Sequence, residues 1–158
     1  MKSSIVRYKK NPRIKRALVV MAHPDDVDFG SGGTVARLTR DGVDVSYCLV
    51  TSGDDGGDSS RSTPEERAVT REAEQRAAAQ ELGVSDLTFL RFGDGRVEVT
   101  LELRKAIARV IRQTRPDLVI CQSPERNYER IFASHPDHLA AGEATLLDPG
   151  DDVAACAA

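Results

Sequence analysis

Short, continuous apolar runs alternate along the chain with longer stretches in which apolar residues recur every three or four positions. Residues 17–21 (ALVVM), 45–50 and 118–121 (LVIC) are runs of the first kind, and 87–90 is a further short one. Runs of that length, rich in Val and bounded by turn residues, are what strands buried on both faces show. Between them, residues 32–39 predict a short helix. Thr63-Pro64-Glu65-Glu66 places a hydroxyl at an N-cap, proline at the first helical position and a glutamate three after the cap, a capping box. That helix is predicted to run to about Leu82, where Gly83 stops it. In residues 101–113, Leu103, Ile107, Val110 and Ile111 share one face, and Pro116 ends the helix. A last helix is predicted to start near Pro136. This alternation predicts an α/β protein, three-layer α/β/α with a mostly parallel sheet. The loops after Met21, Val50, Leu90 and Cys121 then share the carboxyl edge of the strands, where open α/β sheets bind ligands.

Length and charge narrow the picture. The chain has 158 residues, enough for about one domain, which we place at residues 17–147. Residues 1–16 read as a flexible N-terminal segment and 148–158 as a disordered tail. With 22 basic and 25 acidic residues, a net charge of -3 and no basic stripe carrying aromatics, nucleic acid is not an expected partner. No apolar run approaches the roughly 18 residues of a membrane span, and the basic N-terminus lacks an apolar stretch behind it, so the expected location is cytoplasmic. Cys48, Cys121 and Cys156 are widely spaced, and the first two lie inside apolar runs, as small core residues of a reducing compartment would.

Two glycine-rich segments need separate readings. Residues 52–62, SGDDGGDSSRS, have no periodicity and predict a mobile loop, whose Asp54, Asp55 and Asp58 either wall the site or are simply solvated. Gly30-Ser31-Gly32-Gly33 lacks the spacing of a dinucleotide fingerprint and the lysine of a phosphate loop, so close helix-to-sheet packing explains it better.

The chemistry concentrates in two places. His23-Pro24-Asp25-Asp26 follows the first strand and His135-Pro136-Asp137-His138 follows the fourth, and together they hold all three histidines of the chain. Each has the form His-Pro-Asp with a potential ligand three residues after the histidine, and each proline suits the first position of a helix. A catalytic zinc site needs three protein ligands and one open position. His23, Asp26 and His138 supply that set, which leaves Asp25 free to act as a general base. Two imidazoles favour zinc over magnesium, although other divalent transition metals accept the same donors.

These residues carry a resemblance. AHPDDVDFGSGGT (22–34), HPDHLAAGEA (135–144) and Arg71 with Glu74 resemble the PIG-L/LmbE-like family of zinc-dependent N-acetylglucosaminyl deacetylases, over residues 17 to about 144. That family includes the mycothiol- and bacillithiol-pathway deacetylases. The resemblance implies a Rossmann-like fold, zinc on His23, Asp26 and His138, and Asp25 activating water against an amide carbonyl. It also implies that His135 stabilises the oxyanion or protonates the leaving amine, with Asp137 orienting that imidazole; helix-start capping is the other reading of this pair. Arg71 is expected to hold a substrate hydroxyl or anionic group, or else to pair with Glu72 or Glu74 on a solvated face. The expected partner is a small amino-sugar conjugate, with a second subunit as a candidate cover for any exposed apolar edge. The chain departs from the family in Val27-Asp28, where a glutamate is often found, and in ending soon after the second motif. A metal-binding Rossmann-like module with reduced or no catalysis is therefore the alternative function.

Overall fold

Each apolar run expected to be a strand is one. In the computed structural model, which describes residues 11–57, 61–129, 131–147 and 154–157, these are β1 (Arg16–Met21), β2 (Asp44–Thr51), β3 (Asp86–Phe92) and β4 (Leu118–Cys121). With β5 (Ala154–Ala157) they form one sheet in the order β3-β2-β1-β4-β5, parallel at every pairing. The order reverses between β1 and β4, so the crevice of this α/β/α fold opens beyond the carboxyl ends of those two strands.

Alternation along β1 shows how the layers are built. Leu18, Val20 and Ala22 join a core with Val50, Leu103, Ile107 and Ala141. Ala17, Val19 and Met21 join a second core, on the opposite face, with Val35, Leu38, Tyr47 and Ala79. Helices α4 (Leu101–Thr114) and α5 (Pro136–Leu147) cover the first face. The other is covered by α1 (Asp26–Gly30), α2 (Gly32–Arg40) and α3 (Pro64–Glu81). Full burial of such a valine or leucine contributes about 1.5–3 kcal/mol. The capping box forms as its spacing predicts: Glu66 N–H donates to Thr63 Oγ1 (3.2 Å) and Thr63 N–H to Glu66 Oε2 (2.9 Å). Cys48 and Cys121 are fully buried, and burial pushes the Cys48 thiol up to about 12. Among the described residues no helix is long and apolar enough to cross a membrane.

Four expectations differ from the structure. Arg16, assigned to a flexible segment, opens β1, because the Asp117 carboxylate accepts the amides of Lys15 (2.8 Å) and Arg16 (2.9 Å); residues 1–10 lie outside the described residues. Within the expected tail, Ala154–Ala157 pairs with the open edge of β4, whose backbone donors and acceptors need partners; residues 148–153 and 158 lie outside the description. Residues 52–54 of the loop expected to be mobile are tied down: Ser52 and Gly53 are buried, Ser52 Oγ donates to Glu72 (2.6 Å), and Asp54 Oδ1 accepts the Asp94 amide (3.1 Å). Asp58 is outside the described residues. Finally, a side chain at Gly30 or Gly33 would meet nothing within 4 Å, so helix packing does not require glycine there.

Candidate metal centre

The first His-Pro-Asp segment leaves β1 at the crevice. Pro24 does not start a helix, contrary to the simple expectation; α1 begins at Asp26. The reason is Asp25, which lies in the left-handed region (φ 82°, ψ -27°), a conformation that costs a non-glycine residue about 1–3 kcal/mol and clusters at functional sites. Helix α3 holds the turn: Gln75 Oε1 accepts the Asp25 amide (2.6 Å), and Arg71 NH2 donates to the Pro24 carbonyl (2.9 Å) and to Asp25 Oδ2 (2.9 Å). The Asp25 side chain remains 54% exposed. Its carboxyl titrates above the usual range: burial raises it, the Arg71 charge lowers it, and Asp26 raises it again.

At the second segment Pro136 is the first residue of α5, as the spacing predicts. Asp137 is therefore in the first helical turn and is wholly buried. Its carboxylate accepts the amides of Gly95 (2.7 Å) and Val97 (3.2 Å) and lies 3.0 Å from His23 Nε2. It therefore orients His23, whereas the expectation assigned it to His135. Only the Asp137 backbone amide reaches that ring, donating to His135 Nδ1 (3.2 Å).

Three donors from the two segments converge. His23 Nδ1 lies 3.2 Å from His138 Nε2 and 3.2 Å from Asp26 Oδ2, and His138 Nε2 lies 3.2 Å from Asp26 Oδ1. Tetrahedral coordination at 2.0–2.1 Å separates donor atoms by about 3.3 Å, so the residues present fit zinc. The imidazole tautomer fits too. His23 Nε2 faces Asp137 and Asp94 Oδ1 (3.0 Å each), so the neutral ring that a metal requires would keep its proton there and turn the Nδ1 lone pair toward Asp26 and His138. A carboxylate behind a metal-binding histidine is the usual way of fixing such a ring. The electrostatics ask for a cation. Burial disfavours charge on His23, but its bonds and charges toward Asp26, Asp137 and Asp94 win and raise it to about 9. Burial would likewise raise Asp26, yet His138 and His23 hold it well below the usual carboxylate range.

His135 completes a triangle of rings, with centroids 5.1 Å from His23 and 5.2 Å from His138. Its donor atom lies within reach of those of the other two, and the residue is exposed. The amide that Nδ1 accepts leaves its Nε2 free to carry a proton toward the cavity. That cavity, about 230 Å³, is lined by His23, Asp25, Arg71, Asp94, His135 and His138. A larger open cleft of about 550 Å³ continues from Asp25 and Arg71 along α3.

Comparison with known proteins places this arrangement. The family model described as "PIG-L: GlcNAc-PI de-N-acetylase" matches residues 18–147. The chain belongs to the PIG-L family. The match takes in both His-Pro-Asp segments and every residue lining the cavity. Among PIG-L relatives, a diacetylchitobiose deacetylase of Thermococcus kodakarensis is 40% identical over 129 residues, 82% of this chain and 47% of that protein. A probable N-acetyl-alpha-D-glucosaminyl L-malate deacetylase 2 of Bacillus anthracis is 34% identical, over 85% of this chain and 58% of that protein. The solved N,N'-diacetylchitobiose deacetylase of Pyrococcus horikoshii superposes with a TM-score of 0.80 at 32% identity, covering 85% of this chain and 49% of the other. The chain thus spans about half the length of these relatives.

Sequence reasoning missed four residues of this PIG-L site. Gln122, just past β4, accepts the Ala22 amide (2.9 Å) and donates to Asp26 Oδ2 (3.0 Å), bridging the two sides of the crevice. Gln75 holds the left-handed turn, and Asp94 braces His23. Gly142 sits where any Cβ would collide with the Gln122 carbonyl and crowd Pro124 N (3.1 Å), so only glycine lets α5 approach closely enough to bring His138 to His23. The available signal was position at the binding edge: Gln122 directly after the predicted strand 118–121, and Asp94 in the loop that follows the predicted strand 87–90.

Proposed function

We propose that this chain is a zinc-dependent hydrolase that removes the N-acetyl group from an N-acetylglucosamine-type conjugate, with Asp25 as general base. The observation that carries the reading is the convergence of His23 Nδ1, Asp26 and His138 Nε2 at 3.2 Å separations, with a half-exposed carboxylate at the next residue. The names of the relatives support the substrate class: they act on diacetylchitobiose and on N-acetylglucosaminyl malate.

Zinc held by those three side chains supplies Lewis acidity toward the amide carbonyl and lowers the pKa of water. Asp25 takes the proton of the attacking water, and its upward shift strengthens it as a base. Arg71 keeps that carboxylate aimed and lines the same cavity, where it can bind a sugar hydroxyl. His135, with Nε2 free, donates toward the developing oxyanion or the departing amine. Asp137 and Asp94 act through His23, fixing its tautomer.

The test is acetate release by the zinc-loaded chain from diacetylchitobiose, N-acetylglucosaminyl malate and an N-acetylglucosaminyl inositol conjugate, against a chelator-treated control. Release from at least one, abolished by the chelator, is expected. Full zinc binding with no release from any would favour the second reading, a metal-binding module without turnover.

A further inference from the structure

The segment after β2 runs along α3 and is fastened to it at successive positions. Ser52 Oγ donates to Glu72 Oε1 (2.6 Å), and Arg67 Nε donates to the Asp54 carbonyl (2.9 Å). Between these ties lies the Arg71 guanidinium, with the segment's backbone folded against it. A Cβ at Gly53 would stand 2.6 Å from Arg71 NH1 and 2.8 Å from its Cζ, and a Cβ at Gly56 would collide with NH1. Gly56 N–H donates to the Gly53 carbonyl (3.3 Å), closing the turn over the guanidinium. On its far side Arg71 NH2 is spent on the Pro24 carbonyl and Asp25 Oδ2. The same segment is joined to Asp94, the brace of His23, through the Asp94 amide (3.1 Å) and the Asp55 amide (3.3 Å).

We propose that residues 52–57 form a socket that seats the Arg71 guanidinium against Asp25, with Gly56 as the positioning residue that leaves room for it. The two glycines are not equivalent. Gly53 has φ +68°, so any side chain there is strained whatever surrounds it. Gly56 does not have a left-handed φ, so alanine fits its backbone and the obstacle is the tip of Arg71 itself. A methyl group at 56 therefore evicts a flexible side chain from its seat before it disturbs the fold. The loop's glycines, which read in the sequence as flexibility, serve close approach instead.

The consequence for turnover rests on the proposed role of Asp25; the seating of Arg71 does not, and the experiment separates the two. In the 15N NMR spectrum, the Nε–H signal of Arg71 is expected to be resolved and slow to exchange in the native chain, and shifted or lost in Gly56→Ala. With acetate release as readout, Gly56→Ala is expected to lower kcat/KM by about tenfold while zinc content holds. In an Arg71→Ala background the same change is expected to have no further effect on kcat/KM or on Tm, because the group that a methyl at 56 would displace is already gone. An unchanged Arg71 signal in Gly56→Ala would overturn the socket, as would an equal cost of Gly56→Ala in both backgrounds. If no substrate is turned over, the NMR and Tm arms still decide it.

Discussion

The two His-Pro-Asp segments share three residues and place them in opposite roles. In the second, Pro136 opens α5, and the following aspartate turns inward with the first helical turn to become fully buried. In the first, the helix starts two residues after Pro24, and the left-handed residue before it leaves Asp25 outside the helix and 54% exposed. The histidines exchange roles as well: in the first segment His23 itself brings a nitrogen to the converging donors, whereas in the second the residue three later, His138, does so. The backbone, and not the tripeptide, decides which carboxylate is buried behind His23 and which faces the open cavity.

That contrast predicts separable variants. Asp25→Asn is expected to lower acetate release by about 10²–10⁴-fold, the usual contribution of a general base, with zinc content and Tm unchanged. Asp137→Asn, its counterpart, is expected to weaken zinc binding about 10–100-fold, as removal of a carboxylate behind a histidine does. It should also cost about 2 kcal/mol in denaturant melts, because the Gly95 amide and the buried Val97 amide lose a charged acceptor. If the two variants gave the same phenotype, the distinction between the segments would collapse. Gly142→Ala tests how they are brought together: a loss of about 1–3 kcal/mol is expected from the collision with the Gln122 carbonyl.

The smallest effect concerns α3, which holds the turn of the first segment. The Arg91 hydrogen bonds hold the Glu72 carboxyl below its usual range, against burial and with help from Ser52. A carboxylate lowered on folding stabilises the protein above its unfolded pKa and loses that contribution as the pH falls through the folded one. Glu72→Gln is therefore expected to melt slightly below the native chain at pH 7. The gap should close as the pH drops below the ordinary glutamate value of about 4.3.

Local signals carried much of this in the sequence. The apolar runs mark β1 to β4, the capping box marks the start of α3, and the spacing of the two motifs picks out the three converging donors. What stayed hidden depends on side chains meeting across the fold. The Gln122 amide bonds Asp26 from 96 positions away, and no period or propensity announces such a bridge. The left-handed turn at Asp25 is likewise imposed by Gln75 and Arg71 from α3, and the true partner of Asp137 is a histidine of the other segment. The glycines at 53 and 56 read as part of a mobile loop and Gly142 carried no reading of its own, yet all three turn out to be places where two chains of atoms touch. Strand β5 had too little apolar character to stand out from a tail.

The central claim is that two distant segments share one metal ion through His23, Asp26 and His138. Calorimetric titration of the chelator-treated chain with zinc tests it most directly, run in parallel on His138→Ala. The account predicts one zinc ion per chain and loss of that binding in the variant. A native chain that takes up no zinc, or a variant that binds it unchanged, would contradict it.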